Sequence, residues 1–187
     1  MATQPKTTGL TYEDLQAFPD DNLRRELIDG ELIVTAAPAT RHQRVVVRLV
    51  RALGDYSDAH GGEVFPAPTD VFFSDTTVLE PDVLYVGPEH AARVEDRFVR
   101  NAPDLVIEVS SPSTRRLELV RKLDVYERYG VPEYWYVDLD AERLEVYRLR
   151  GERYEAPVLL GRHERIESPS MPGLSLAVGE LLASPEP

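Results

Sequence analysis

The strongest constraint on the fold is one strand–helix–strand run. Asp104 to Ser110 and Glu133 to Asp138 read as strands, and the stretch from about Thr114 to Tyr129 between them reads as a helix. Gly130 and Pro132 stop that helix, as a C-cap glycine followed by proline does. Elsewhere extended segments outnumber helices. Glu63 to Pro66, Thr69 to Phe73 and Pro81 to Val86 read as strands, and an Asp29-Gly30 turn between Leu27-Ile28 and Leu32 to Val34 reads as a two-residue hairpin. Leu144 to Leu149 returns on Glu133 to Asp138 around Asp140 to Glu142. Gly151-Glu152 then turns the chain into Tyr154 and Val158 to Leu160. Two further helices are expected. Thr11 to Leu15 carries a Thr11/Asp14 capping box, and Arg41 to Leu53 collects Val45, Val46, Leu49, Val50 and Leu53 on one face. The pattern predicts an α/β or α+β fold with a mixed sheet.

At 187 residues the chain has room for one domain of ordinary size. Its expected core runs from about 10 to 180, with loose ends, the C-terminal one from Ser184. The longest apolar runs are short, Val83 to Val86 and Tyr134 to Val137 among them, far from the roughly 20 residues that span a bilayer. The polar start, Met1 to Thr11, has no apolar signal core. There is no cysteine, which excludes disulfides, thiolate zinc sites and cysteine nucleophiles. A cytoplasmic protein without membrane contact is the expectation. Asp plus Glu number 33 against 21 Lys plus Arg, a formal charge of −12. That balance argues against tight, sequence-blind binding to duplex DNA, and it supplies carboxylates that bind hard cations.

Strand alternation singles out two of those carboxylates. In Asp104 to Ser110, Leu105, Ile107 and Val109 share one face while Glu108 points to the other, an acid inside an otherwise apolar strand. Such a group is expensive unless it is paired or metal-bound. Asp82, opening Val83 to Val86, has the same character, and two such strands side by side put both acids at one end of a sheet. Lys122 lies at the edge of its helix's apolar face, beside Leu119, Leu123 and Tyr126, where it can reach back toward Glu108. Glu31, just after the Asp29-Gly30 turn, is a candidate fourth member, and His42 falls in the first turn of the apolar face of its helix.

These residues carry a resemblance. Pro81-Asp82, the run from Pro103 through Glu108 to Thr114, Lys122-Leu123 with Tyr126, and Gly130 through Asp138 resemble the Uma-type endonuclease family. So does Glu26 through Leu32 followed by His42. The match runs from about residue 10 to 178. That family is placed in the restriction-endonuclease-like PD-(D/E)XK superfamily, which implies a central mixed sheet flanked by helices. The resemblance makes Asp82 the metal-binding aspartate and Glu108 the second acidic ligand. Ser110 stands where the superfamily's lysine is expected, and Lys122 becomes the displaced lysine reaching in from the following helix.

The activity so implied is hydrolysis of phosphodiester bonds in nucleic acid, DNA before RNA. Asp82, Glu108 and the Val109 carbonyl would hold Mg²⁺, with Mn²⁺ as a substitute. Lys122 would orient water or meet developing charge, Glu31 would help hold a second ion, and His42 would contact phosphate or relay a proton. Two alternatives stand beside this one: a self-associating binding module on the same fold, and a hydrolase of a small phosphate ester, which suits the charge of −12. Arg41, Arg44, Arg48 and Arg51 form a stripe on the solvent face of their helix, either a solvated surface or a track for a nucleic-acid backbone. Exposed sheet edges suggest a homodimer.

Overall fold

The computed structural model describes residues 8–183 except 20, 22, 36 and 111–116. The expected loose ends therefore lie outside the described residues, as do the turn residues 111–113 and the expected start of a helix at Thr114. Helix α1 (Tyr12–Gln16) opens on the expected capping box. The Thr11 hydroxyl accepts the Asp14 N–H at 3.4 Å, and the Asp14 carboxylate accepts the Thr11 N–H at 2.9 Å. Strands β1 (Arg24–Ile28) and β2 (Glu31–Thr35) pair across Asp29-Gly30, whose φ values of 50° and 78° are those of a type I′ turn.

Helix α2 (Thr40–His60) passes the expected end at Leu53. Gly54 meets no neighbour and weakens a helix by only about 1 kcal/mol, while Tyr56 one half-turn later packs on the same core. Next come β3 (Glu63–Pro66), β4 (Val71–Ser74), β5 (Thr77–Leu79), β6 (Val83–Val86), a 3₁₀ turn over Pro88–Arg93, β7 (Val99–Arg100) and β8 (Leu105–Val109). A wide π-type turn over Leu117–Lys122 leads into α3 (Leu123–Arg128), followed by β9 (Glu133–Asp138) and β10 (Arg143–Arg150). The chain continues through β11 (Arg153–Tyr154), β12 (Val158–Gly161), β13 (Arg165–Ser168), β14 (Met171–Ala177) and α4 (Val178–Leu181).

The larger sheet runs β11-β10-β9-β8-β6-β3, with β12 also on β10. It is mixed: β8 and β9 are parallel, and β6–β8 and β9–β10 antiparallel. A second sheet runs β2-β1-β5-β4-β7. Helix α2 covers one face of the larger sheet, where Val45, Val46, Leu49 and Leu53 meet Val83, Leu105, Ile107 and Trp135. The other face, Leu84, Val86, Val106, Tyr134 and Tyr136, packs against α3 and the second sheet through Val125, Tyr126, Val71 and Leu79. The result is the expected α+β architecture, a mixed sheet with helices on both sides.

Five elements have no counterpart in the sequence reading: β5, β7, β13, β14 and α4. The first two have three and two residues, too few to show a period. Pro172 and Gly173 interrupt β14, which pairs with β13 through a register shift at Glu167/Ser168.

Candidate active site

The register of two central strands brings the predicted acids together. Val83 pairs with Ile107 and Leu84 with Val106, so one step further along the antiparallel ladder sets Asp82 against Glu108. Asp82 is 2% exposed and Glu108 1%. Asp82 Oδ2 accepts the Val109 N–H at 2.7 Å and meets His42 Nε2, from the first turn of α2, at 3.0 Å. A carboxylate only accepts, so His42 carries its proton on Nε2 in this contact. Asp82 Oδ1 accepts from Arg24 Nη1 of β1 at 2.8 Å.

Glu108 Oε1 accepts from Lys122 Nζ at 2.9 Å and from Tyr126 Oη at 2.7 Å. Lys122 and Tyr126 are four residues apart, one above the other on the helix flank, which is why both reach one carboxylate. Lys122 Nζ also lies 2.8 Å from Glu26 Oε1 of β1, and the same oxygen accepts the Glu80 N–H at 2.8 Å.

Burial and pairing set the charges. Burial pushes the Asp82 carboxyl up, but the His42 hydrogen bond, the Arg24 charge and the Val109 N–H outweigh it and hold Asp82 below the usual range. Glu108 is raised by burial, with the Lys122 ammonium pulling it back only in part. Burial alone would lower Lys122, yet Glu108 and Glu26 raise it above its ordinary value, so it stays charged. Burial raises Glu80 to about 7 against the pull of Arg24. When all are ionised, the four carboxylates Glu26, Glu80, Asp82 and Glu108 exceed Arg24 and Lys122 by two negative charges.

That donor set fits a divalent cation in kind and in charge: carboxylate oxygens suit a hard ion, and Glu26 Oε2 is buried with no hydrogen-bond partner among the described residues. In the arrangement seen, the carboxylates close on Arg24 and Lys122. Among the described residues no three acidic or histidine side chains converge on one point.

The structure thus gathers Asp82, Glu108, Lys122 and His42, while Glu31 stands apart. Its carboxylate is 52% exposed and pairs with Arg121 at 2.9 Å. Glu31 opposes Ile28 beside the turn, whereas Glu26, deeper in β1, is the acid that enters the cluster. Sequence reasoning missed Glu26, although an acid inside a strand beside apolar Leu27 and Ile28 is the same signal that singled out Glu108. Arg24 shares the period-2 face of Glu26 and was legible only with it. Val109 meets Asp82 through its N–H. Ser110, in the place of the expected lysine, uses its hydroxyl to accept the Leu139 N–H at 2.9 Å, tying the end of β8 to the strand beside it. In the arginine stripe, Arg41 pairs with Glu142 and Arg48 donates to the carbonyls of Leu181 and Ala183, so two of the four serve the fold.

A cleft of about 390 Å³ gives access, bordered by Leu23, Arg24, His42, Pro68, Glu80 and Asp82. No helix among the described residues is long and apolar enough to cross a membrane.

The mixed sheet with helices on both sides, two acids at the ends of adjacent strands and a lysine against one of them is the arrangement that the resemblance to restriction-endonuclease-like nucleases implies. Residues 11–179 match the Uma2 family model, described as "Putative restriction endonuclease", and the chain belongs to that family. Among solved structures, the chain is similar to a "putative nuclease belonging to DUF820" from Anabaena variabilis, with a TM-score of 0.77 and 19% identity over 92% of this chain and 97% of that one. It is also 25% identical to the uncharacterized Synechocystis sp. protein sll1609 over 170 residues, 89% of this chain and 95% of the relative.

Proposed function

We propose that the chain is a metal-dependent nuclease that hydrolyses phosphodiester bonds of nucleic acid, with DNA as the first substrate. The observation that supports this most is the buried Asp82–Glu108 pair at the end of β6 and β8, with Lys122 on Glu108 and a cleft reaching Asp82. Asp82, Glu108 and Glu26 would hold a divalent ion such as Mg²⁺ or Mn²⁺. When bound, such an ion lowers the pKa of water and neutralises charge on a phosphate.

The chain's own residues do the rest. His42 Nε2 and the Val109 N–H fix the Asp82 carboxylate and keep it ionised. The Tyr126 hydroxyl orients Glu108, and burial holds this tyrosine's pKa well above its ordinary value, so the phenol remains a donor. The Lys122 ammonium donates to Glu26 and Glu108, and its third N–H is left to hold a water or a phosphate oxygen. Placed there, it stabilises negative charge that develops during attack.

The test is cleavage of supercoiled plasmid, single-stranded DNA and RNA in Mg²⁺ and in Mn²⁺, with Glu108→Gln prepared in parallel. Metal-dependent cutting by the wild type and none by the variant is expected. Equal cutting by both, or none by the wild type on any substrate, would overturn the proposal.

A further inference from the structure

Arg24 is held in an unusual way. Its guanidinium lies among all four carboxylates: 2.8 Å from Asp82 Oδ1, 3.1 Å from Glu80 Oε1, and 3.8 Å from both Glu26 Oε1 and Glu108 Oε2. Only the first contact is a directed hydrogen bond, from Nη1. Nε and Nη2 are buried without a hydrogen-bond partner among the described residues, and so is Glu26 Oε2. Arginine usually grips carboxylates through paired, parallel N–H bonds. Here charge, not fork geometry, keeps it in place.

A cation held that way is exchangeable, because a second cation can take over the same Coulomb role with little loss of hydrogen bonding. Its route out is also visible: the side chain is 22% exposed and borders the cleft together with Glu80, His42 and Asp82. Leaving without a replacement would strand the four carboxylates, Glu80 partly exposed and the other three buried, on Lys122, so departure and replacement have to be coupled.

We propose that Arg24 is the resident counter-ion of the carboxylate site, and that a divalent cation enters by displacing its guanidinium from Asp82 and Glu108 toward the cleft. This rests on the reading of Asp82 and Glu108 as metal ligands and adds its control: the site without metal is closed by one of its own side chains. The displaced guanidinium stays at the cleft, where a substrate phosphate would meet it.

Direct Mn²⁺ binding, read from the loss of the free-ion electron paramagnetic resonance signal, tests this in the full chain. The comparison is wild type, Arg24→Gln, Glu108→Gln and Arg25→Gln; Arg25 pairs with Asp21 outside the cluster and controls for the lost charge. Arg24→Gln is expected to bind Mn²⁺ about tenfold tighter or more, Arg25→Gln like the wild type, and Glu108→Gln far more weakly. Equal Mn²⁺ affinity in wild type and Arg24→Gln, both lost with Glu108→Gln, would overturn the displacement and leave the metal site standing. No Mn²⁺ binding by any form would overturn both. The second readout needs no variant: in ¹⁵N-arginine spectra of the wild type, the Arg24 side-chain signals are expected to shift and lose protection from exchange on adding Mg²⁺. Unmoved signals at saturating Mg²⁺ would overturn the proposal.

Discussion

Lys122→Met tests whether the buried ion cluster is organised as described. The ammonium stands 2.8 Å from Glu26 and 2.9 Å from Glu108, with all three side chains 1–3% exposed. At an effective dielectric of about 20, each contact is worth about 6 kcal/mol of gross attraction. The variant escapes most of that loss, because one of the two carboxylates takes up a proton instead. Holding a glutamate neutral costs about 1.4 kcal/mol per pH unit above its ordinary value near 4.3, hence about 4 kcal/mol at pH 7 and about 1 kcal/mol at pH 5. The upper figure falls within the range of about 3–5 kcal/mol found on breaking a buried ion pair. The sign follows from the protons: native Lys122→Met binds one more than the unfolded chain above about pH 4.3, so its stability falls as pH rises. Urea denaturation of wild type and variant at pH 5 and pH 7 measures the difference. A loss of equal size at both pH values, or below about 1 kcal/mol at pH 7, would refute the clustering of charges around Lys122. Adding Glu108→Gln to Lys122→Met should restore part of the stability at pH 7, since the carboxylate left unpaired is then gone.

Two further outcomes are expected. Glu26→Gln should lower metal-dependent cleavage more than about tenfold, while Glu31→Gln, on the surface opposite Arg121, should leave it within about twofold and change stability by less than about 0.5 kcal/mol; the reverse order would put Glu31 back in the site. Asp70 is raised to about 6 by burial, with the Tyr12 hydroxyl pulling the other way. Its protonated form therefore contributes stability that is full below about pH 4 and lost as pH rises through about 6. Discounted for partial exposure, Asp70→Asn should be about 1–2 kcal/mol more stable than wild type at pH 8 and about equal to it at pH 4, and thermal melts at the two pH values would expose an error in sign.

Much of the fold was legible because it is written in local periodicity. The period-2 alternation of Leu105, Ile107 and Val109 gave β8 its two faces, Asp29-Gly30 gave the first hairpin, and Gly130 with Pro132 gave the stop before β9. The same alternation exposed Glu108 as an acid in the wrong surroundings for a strand. Elements such as β7 and β13 left little trace, since two to four residues carry too little pattern and are strands only because a partner strand completes their hydrogen bonds.

Sequence by itself determined which residues were out of place for their local pattern: Asp82, Glu108, a helix-edge Lys122 and a histidine on an apolar helix face. Tertiary structure alone decided which of them share a charge cluster. Glu26 and Glu31 lie five residues apart on one hairpin, yet one faces Lys122 at 2.8 Å and the other faces solvent. The physical reason is that a buried charge is tolerated only where other elements bring compensating charges to it. Those contacts join β1, α2, β6, β8 and the π-type turn, from 14 residues apart in sequence (Glu108 and Lys122) to 96 (Glu26 and Lys122), and no local period encodes them.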